Sequence, residues 1–296
     1  MAAISEPAPT ELGRFLRARR EGVRPADVGL LPGTGSRRTP GLRREELATL
    51  AGMSIDYYTR LERGKETRPS PAVVDALARA LRLDADEHEY LRSLVAQAAR
   101  RAPDAAQPQS QPTSSRSVRR TVSMLLQTLR PNPAYVLSRT YDVLAANPGG
   151  AQLHPGLAGW PARQRNTIRY TFLHPAARDL WPDWEQKARG CVAQLRAVAG
   201  ADPDAPDLAA LVGELLVKSP DFGRLWGRYE VRRAGDGEKV FRHPAVGTIT
   251  LAHEILDLNR ADGQRLVVYM AAPGTPDHDA MVLLDRAGID AAVPAG

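Results

Sequence analysis

Four side chains on one short predicted helix have the chemistry that reads base edges in DNA. Ile55, Asp56, Thr59 and Arg60 are spaced so that they face outward from the first turns of this helix. An arginine can donate two hydrogen bonds to guanine, and an aspartate can accept one from cytosine N4. Two plainer interpretations stay open: a solvated or phosphate-bound Arg60, and an Asp56 that only stabilises the helix N-terminus. The helix is therefore a candidate reader of a major groove.

Basic and polar residues around this helix predict contacts with the DNA backbone. Arg43 and Arg44 open the preceding helix, where positive charge is unfavourable, so a phosphate partner would explain them. Tyr57 is placed to stack or to touch a phosphate, and Arg37 and Arg38 are candidates for phosphate or minor-groove contact. The predicted DNA contacts are Arg37, Arg38, Arg43, Arg44, Ser54, Ile55, Asp56, Tyr57, Thr59, Arg60 and Arg63.

No residue pattern in the sequence predicts catalysis, a metal site or a cofactor. The six histidines form neither HExxH nor a pair on one helix turn, and GxSxG, P-loop and GxGxxG patterns are missing. The one cysteine, Cys191, lies inside a predicted helix, and a buried, inert thiol is the interpretation. For His243, before Pro244, a structural role is the favoured interpretation, and a hydrogen-bonding role in a pocket is the alternative. We therefore expect a protein that is not an enzyme and that needs no cofactor and no metal.

The excess of positive charge is confined to the first part of the chain. The 296 residues carry a net charge of +6; residues 1–120 hold 21 basic and 15 acidic side chains, and residues 121–296 hold 19 of each. Binding to DNA phosphates favours such an imbalance, because each neutralised phosphate releases counterions. A mildly basic surface is the alternative. No signal peptide or membrane span is recognisable, and one cysteine fits a reducing compartment, so we expect a cytoplasmic protein with no membrane partner.

Periodic apolar residues and capping signals predict an all-α domain of five helices over residues 10–100. Helices of about 43–51 and 55–63, joined by a turn at Gly52, form a helix-turn-helix pattern. Glycine suits this turn because it adopts positive φ without a steric clash. Glu62 is expected to pair within the domain. The other helices are predicted to begin after Thr10, at Ser70-Pro71 and after Asp84.

The helix-turn-helix segment resembles the Cro/repressor-like (xenobiotic-response-element) family, of Cro/C1 type. The N-terminal domain of MmyB-like transcription regulators is similar to PGLRREELATLAGMSIDYYTRLERGKETRPSPAVVDALARALRL. That family's ligand-binding domain, described as PAS-like, is similar to RQRNTIRYTFLHPAARDLWPDWEQKARGCVAQLRAVAG, LVGELLVKSPDFGRLWGRYEV and FRHPAVGTITLAHEILDL. The resemblance implies a sequence-specific DNA-binding transcription regulator. The residues matching the helix-turn-helix pattern are Glu45, Leu47, Ala48, Gly52, Ser54, Tyr58, Leu61, Glu62, Arg63 and Gly64.

A stretch rich in Pro, Gln and Ser over residues 101–117 predicts a flexible linker, and an α+β, PAS-like domain is expected over residues 118–296. We expect a sheet with helices on one side and a central cavity. The predicted elements are a helix at 118–129, a hairpin at 134–137 and 140–146, a helical block at 163–229, strands at 239–242, 247–253, 255–258 and 266–270, and a helix at 276–286.

One segment departs from the family's pattern. Ala145-Ala146-Asn147 lacks the tryptophan that the family has before the asparagine. The next residues, Pro148-Gly149-Gly150, are helix-breaking by composition. The resemblance therefore leaves open whether the ligand pocket near this segment matches that of the family.

Aromatic residues concentrate in the second domain, which holds 12 of the 16 in the chain. Each one singly predicts a core residue, but their concentration also suits a pocket for a small hydrophobic or amphipathic effector. Arg165, Asn166 and Arg169 are candidates for contacts with its polar head. The predicted ligand-binding residues are Arg165, Asn166, Arg169, Tyr170, Phe172, Trp181, Trp184, Phe222 and Trp226.

The sequence thus predicts an effector-responsive regulator of double-stranded DNA. A homodimer is expected, because half-sites lie about one helical turn, roughly 34 Å, apart. The first alternative is a DNA-binding protein whose second domain only dimerises or binds another protein. A further alternative is an enzyme that carries a DNA-targeting domain.

Overall fold

The computed structural model describes residues 10–30, 41–66, 68–100, 116–201, 205–228 and 237–292. The proximity of Cα atoms divides the chain into two compact units. The first unit contains the described residues of 10–100, and the second contains 116–198, 205–223 and the described residues from 237 onward. Most of the predicted linker lies outside the described residues.

The first unit is all-α, as the sequence predicts, and its described residues form five α-helices. The predicted capping signals at Thr10 and Ser70 are confirmed, because each side chain accepts a hydrogen bond from a backbone N–H in the first helical turn. Asp84 and Glu87 form the predicted reciprocal capping box. The helices are α1 (Glu11–Gly22), α2 (Arg44–Leu50), α3 (Ile55–Glu62), α4 (Pro71–Ala80) and α5 (Ala85–Arg100), with a 3₁₀ turn at Pro25–Val28.

The apolar sides of α1, α3 and α5 meet in one core. Phe15 of α1 is fully buried, and its ring packs edge-on against Tyr90 of α5, with 5.1 Å between the ring centres. Tyr58 of α3 is also fully buried, and its hydroxyl donates to the carbonyl of Leu16 at 3.5 Å. Because Tyr58 faces inward, the opposite side of α3 is left on the surface.

The second unit is α+β, as predicted, and it is built on a five-stranded antiparallel sheet in the order β2-β1-β5-β4-β3. The sequence divides β4 into two strands at residue 254, and this is wrong. Glu254 is one outward position in an alternation that continues through the strand, so the strand does not stop there. The strands are β1 (Ala134–Leu137), β2 (Val143–Ala146), β3 (Gly237–His243), β4 (Gly247–Asp257) and β5 (Arg265–Met270).

Helices flank the sheet and fill the connection between β2 and β3. The predicted helical block is divided into separate helices, because Pro175, Pro206 and Pro220 each lie at a helix start. The helices are α6 (Arg120–Thr128), α7 (Pro148–Gln152), α8 (Thr167–Leu173), α9 (Ala176–Leu180), α10 (Trp184–Ala201), α11 (Pro206–Lys218), α12 (Pro220–Trp226) and α13 (Pro276–Ala292), with a 3₁₀ turn at Leu157–Gly159.

The two faces of the sheet carry different side chains. On one face, Val122 and Leu126 of α6 pack against aliphatic residues of β1 and β5. On the other face, Tyr269 contacts Phe241, and Phe241 contacts Trp181, which follows α9. Helical segments therefore cover both faces of the sheet, and not one as the sequence analysis expects, because the aliphatic face also has to be removed from water.

The segment that composition marks as helix-breaking is a helix. Pro148 is the first residue of α7, where its missing N–H costs nothing. The buried Asn147 caps this helix: its Oδ1 accepts from the N–H groups of Gly150 and Ala134, both at 2.9 Å, and its amide donates to two backbone carbonyls. A Cβ on Gly150 would collide with the carbonyl of Ala134. The glycine therefore allows α7 to approach β1, which composition alone does not reveal.

Candidate nucleic-acid interface and effector site

Helices α2 and α3 form the helix-turn-helix that the sequence predicts. Ser54 caps α3, and its Oγ accepts from the N–H of Tyr57 at 3.2 Å. Gly52 has a φ of +66°, which a residue with a Cβ rarely adopts. Ala48 is buried, and its carbonyl accepts from the N–H of Met53 at 2.9 Å. This turn fixes where the first residues of α3 emerge.

The outer side of α3 is accessible. Ile55 is 44% exposed, although it is a large apolar residue. Asp56 and Arg60 are also exposed, and Thr59 is half-buried. Three of the four side chains expected to read bases are therefore open to a partner, and they lie on the first two turns of the helix.

Arg60 has an acidic partner within the first unit. Its Nη2 lies 3.3 Å from a carboxylate oxygen of Glu66, just after α3. Tyr57 lies close to both groups: burial and the charge of Glu66 raise the pKa of its hydroxyl, and the charge of Arg60 opposes that shift. Tyr57, Arg60 and Glu66 thus form one cluster beside the outer side of α3.

Arg43 and Arg44 differ in their surroundings. Arg43 is exposed, and its Nη1 lies 3.5 Å from Glu45. Arg44 donates to both carboxylate oxygens of Glu62, at 3.1 and 2.9 Å. The charge of Arg44 at the start of α2 is therefore balanced inside the domain, and it does not by itself require a phosphate.

Glu62 is the buried centre of an ion network, as expected of a residue that pairs within the domain. Arg20, which is also buried, donates to its two oxygens at 3.3 and 3.1 Å and to the carbonyl of Leu42 at 2.7 Å. Burial alone would raise the pKa of Glu62, but hydrogen bonds from Arg44 and Arg20 lower it. The network ties α1, α2 and α3 together.

The remaining predicted DNA contacts lie at the edges of this surface or outside the structure. Arg63 is exposed and is the C-cap of α3, where its N–H donates to the carbonyl of Thr59. Arg37 and Arg38 lie outside the described residues.

The three polar residues expected to hold an effector's head bond to the protein itself. Arg165 donates to the carbonyl of Trp160 at 2.9 Å. Asn166 is 1% exposed and caps α8 with its Oδ1, while its amide donates to the carbonyl of Thr140 at 2.7 Å. Arg169 donates to Glu214 of α11 at 3.0 and 2.9 Å. The structure thus gives each of them a role in joining elements of the fold.

The predicted aromatic residues fall into two clusters. The ring centres of Tyr170 and Trp181 lie 5.4 and 6.2 Å from that of His154, and Trp181 also contacts the sheet. Phe172 contacts Trp184 and Phe222 at 6.0 and 5.1 Å. Trp226 is the last residue of α12.

The first of these clusters continues across the aromatic face of the sheet. Tyr135 contacts His154, and its hydroxyl lies 2.9 Å from that of Tyr269. His154 is buried, which lowers its pKa to about 3, with smaller effects of the charges of Lys187 and His243. Ala146, where the family's pattern has tryptophan, pairs with Tyr135 and therefore lies on this face.

One buried donor in this cluster has no acceptor. Trp181 is 4% exposed, and its Nε1 makes no hydrogen bond within the described structure. The ammonium of Lys187 lies 4.5 Å from the centre of the Trp181 ring. Lys239 has a lowered pKa, because it is partly buried and close to Lys187. Two positive groups and an unused N–H therefore gather beside the aromatic face.

Sequence reasoning missed Lys187 and Lys239, although a compositional signal exists. The chain has 36 arginines and only four lysines, and two of the four lie here.

Cys191 is 3% exposed, and its Sγ lies 3.8 Å from the Thr171 hydroxyl, which agrees with the expected buried thiol. His243 contacts the carbonyl of Gln152 at 3.0 Å, in a structural role.

Across the described ranges, no helix has the length and apolar character needed to cross a bilayer, and no group of three or more potential ligands could hold a metal ion.

Two families match the two parts of the chain. No curated protein matches the chain closely enough to count as a relative. Residues 11–91 match the helix-turn-helix domain family, and residues 118–284 match the MmyB-like transcription regulator ligand binding domain. The chain therefore belongs to the MmyB-like transcription regulators and is a DNA-binding regulator with a ligand-binding domain.

Proposed function

We propose that the chain binds specific duplex DNA sequences through α3, and that a small hydrophobic or amphipathic effector controls this binding from the second unit. The observation that carries the proposal is the exposed side of α3, which presents Ile55, Asp56 and Arg60 from a helix-turn-helix held by buried Tyr58. A helix of this kind fits a major groove, with its N-terminal residues toward the bases.

The electrostatics of the N-terminal part of the chain support contact with phosphates. Residues 1–120 carry all of the chain's excess positive charge. Arg43, which precedes α3 in the chain, and Arg63, which ends it, are both exposed, and we assign them to phosphates. Arg60 is assigned to guanine, because a guanidinium matches the two acceptors on that base.

The effector site is proposed on the aromatic face of the sheet, next to α9 and α10. A buried donor without an acceptor costs about 1–3 kcal/mol, and a ligand oxygen on Trp181 Nε1 would remove that cost. We assign the ammonium of Lys187, 4.5 Å from the centre of the Trp181 ring, to the same oxygen, while Tyr135, Phe241 and Tyr269 supply the surrounding ring surface. A ligand with an apolar body and an acceptor at one end fits these residues.

The finer features of the regulator are also proposals. The antiparallel sheet with a helical insertion between β2 and β3 supports the PAS-like description of the second unit. We propose a cytoplasmic homodimer with a Cro/C1-type DNA-binding domain that acts without catalysis. The effector would favour one dimer arrangement over another.

A second candidate function is a regulator whose second unit only dimerises or binds another protein. One observation favours it: α11 exposes Leu216 and Val217, by 46% and 86%. Large apolar side chains at that exposure are typical of interaction surfaces when they occur together. A ligand that co-purifies with the full chain, identified by mass spectrometry, would distinguish the effector-controlled regulator from this alternative.

The DNA proposal is tested by selecting binding sites from a random duplex library with the full chain. Arg60→Ala should relax the preference at one base pair and cost about 1–3 kcal/mol on the best site. The control is Arg17→Ala, which removes an exposed arginine of α1 that also has an acidic partner, Glu21. If Arg60→Ala weakens every sequence equally, Arg60 is only a phosphate contact; if the wild type selects no sequence, the proposal fails.

The effector proposal is tested by adding the co-purified molecule back to chain from which it has been removed. A ligand that binds only the folded state should raise stability by about 2.7 kcal/mol at a hundred times its Kd. It should also change the DNA affinity by the same factor by which DNA changes the affinity for the ligand. A molecule that stabilises the chain and leaves DNA binding untouched would contradict effector control.

A further inference from the structure

The segment that follows α3 folds back and places an acid beside the base-reading arginine. The N–H groups of Lys65 and Glu66 both donate to the carbonyl of Arg60, at 2.8 and 3.2 Å. The carboxylate of Glu66 then accepts from the Arg60 guanidinium at 3.3 Å and from the N–H of Arg68 at 3.1 Å. Backbone and side-chain bonds together therefore hold Glu66 in place.

A carboxylate at this position opposes general binding to DNA. The side chain of Glu66 is 23% exposed and that of Arg60 is 57% exposed, so neither charge is hidden from an approaching duplex. Phosphates repel the carboxylate, and its pairing with Arg60 withholds one cation from the backbone. The contact of 3.3 Å with the exposed Arg60 guanidinium places the acid beside the outer side of α3.

We infer that Glu66 is a positioning residue that acts through Arg60 and lowers the affinity of α3 for its preferred site. On an unrelated duplex the Arg60–Glu66 pair persists, so only the repulsion between the paired carboxylate and the backbone opposes binding. On the preferred site, guanine O6 and N7 replace the carboxylate as acceptors for the guanidinium, so the ion pair is lost and the carboxylate is left unpaired beside the DNA. The acid therefore weakens the right complex more than wrong ones and narrows the difference in affinity between them. This inference rests on the proposed DNA-binding side of α3.

The experiment compares two duplexes at one fixed salt concentration. Wild-type full-length chain first selects its best site from a random library, and Kd is then measured for that site and for an unrelated duplex. Glu66→Gln keeps the shape and the acceptor but removes the charge. It should tighten binding to the selected site by about two- to fivefold, the range expected for an exposed ion pair that no longer has to be broken, and tighten binding to the unrelated duplex less. The ratio of the Kd for the unrelated duplex to the Kd for the selected site should rise accordingly.

Three further variants show whether the effect belongs to this charge and this arginine. Glu66→Asp should leave the ratio of the two Kd values near its wild-type value, because it keeps the charge. Glu89→Gln, which removes an exposed acid from α5, should leave the ratio unchanged. In the Arg60→Ala background, Glu66→Gln should change the ratio much less than it does in the wild type, since the Arg60 guanidinium is gone.

The outcomes separate this inference from the proposal beneath it. Failure of the wild type to select any site would sink the proposed DNA-binding side of α3. If the wild type selects a site and Glu66→Gln leaves the Kd ratio at its wild-type value, the role of Glu66 is refuted. It is equally refuted if Glu66→Gln loses preference at one base pair while the unrelated duplex binds as before, because Glu66 would then read a base itself.

Discussion

Two buried polar groups, one in each unit, differ in whether the protein itself supplies their hydrogen-bond partners. In the first unit, the buried carboxylate of Glu62 is held by two arginines, with four hydrogen bonds at 2.9 to 3.3 Å. In the second unit, the buried Nε1 of Trp181 has no acceptor, and two lysines stand nearby. A satisfied network makes a rigid support for α3, whereas an unsatisfied donor marks a place where a ligand adds stability.

The two units also differ in where they place charged and aromatic side chains. The first unit exposes arginines and one large apolar residue, Ile55, on the outer side of its helix-turn-helix. The second unit gathers aromatic rings on one face of its sheet and keeps aliphatic residues for the other. The two units thus differ as expected if the proposed DNA-reading surface depends on fixed positions and the proposed effector-binding face is completed by its ligand.

The largest effect is expected from breaking the ion network of the first unit. Glu62→Ala leaves the buried guanidinium of Arg20 with only its longer contact to Glu21, at 3.4 Å, and should destabilise the unit by about 3–5 kcal/mol. Hydrogen exchange followed by mass spectrometry checks this, since amides of 10–100 should lose protection. Asn147→Ala is the counterpart in the second unit, because it removes the buried cap of α7. If Glu62→Ala leaves protection in 10–100 unchanged, the network does not support the fold.

The second unit should lose stability at a higher pH than the first. Burial keeps His154 neutral in the folded state, with a pKa of about 3. The free energy of unfolding of the second unit should therefore be highest above pH 6.5 and should fall as the pH falls toward 3, because the unfolded state binds the proton first. The loss should reach about 2–3 kcal/mol by pH 4.5, at about 1.36 kcal/mol per pH unit. His174 and His243, whose pKa values are also lowered by burial, act in the same direction.

In the first unit the corresponding contribution comes from Glu62. Its lowered pKa gives stability that is full above about pH 4.5 and is lost only below that value. Hydrogen exchange at pH 7, 5.5 and 4.5 checks the order in which the units weaken. His154→Phe should flatten the response of the second unit, and simultaneous weakening of both units above pH 4.5 would contradict the comparison.

A smaller effect distinguishes two tryptophans that each lie beneath a cation. Trp184 lies under Arg178 and donates to the carbonyl of Thr171 at 2.9 Å, whereas Trp181 lies under Lys187 and its Nε1 lacks an acceptor. Trp181→Phe removes an unsatisfied donor, and Trp184→Phe removes a hydrogen bond worth about 1 kcal/mol. In ligand-free chain, Trp181→Phe should therefore cost no more than Trp184→Phe, despite its deeper burial.

Urea unfolding of the two variants measures that difference. With the co-purified molecule present, the order should reverse, because only Trp181→Phe loses a contact to the ligand. A cost for Trp181→Phe several kcal/mol above that of Trp184→Phe, without ligand, would show that the fold itself uses the donor.

The first unit was largely predictable because its signals are local. The caps at Thr10, Ser54 and Ser70, and the turn at Gly52, depend on residues within three or four positions of each other. Helical spacing likewise places Tyr58 inward and Arg60 outward. Local chemistry therefore specifies both the elements and the side of α3 that faces out.

Polar side chains in the second unit pair with residues that are distant in sequence, and the sequence does not predict these partners. Arg169 pairs with Glu214, 45 positions away, and periodicity contains no information about such a pair. The close approach of Gly150 to Ala134 likewise requires the sheet to be known. Strands and fold class followed from alternation, but the polar groups of the proposed effector site required the three-dimensional structure.

The smallest expected effect concerns the two arginines at the start of α2, for which sequence and structure suggest different reasons. Arg44→Ala removes two hydrogen bonds to the buried Glu62 and should lower stability by about 1–2 kcal/mol. Arg43→Ala removes an exposed contact of 3.5 Å and should change stability by less than about 0.5 kcal/mol. The stability of each variant is measured by urea unfolding, and its affinity is measured for several duplexes. A variant that loses a phosphate contact should bind all of these duplexes more weakly by the same factor. Because Arg20 still pairs with Glu62 in Arg44→Ala, the unit should stay folded and the DNA measurement stays meaningful. An Arg44→Ala variant that keeps full stability and loses DNA affinity would restore the phosphate as the reason for this residue.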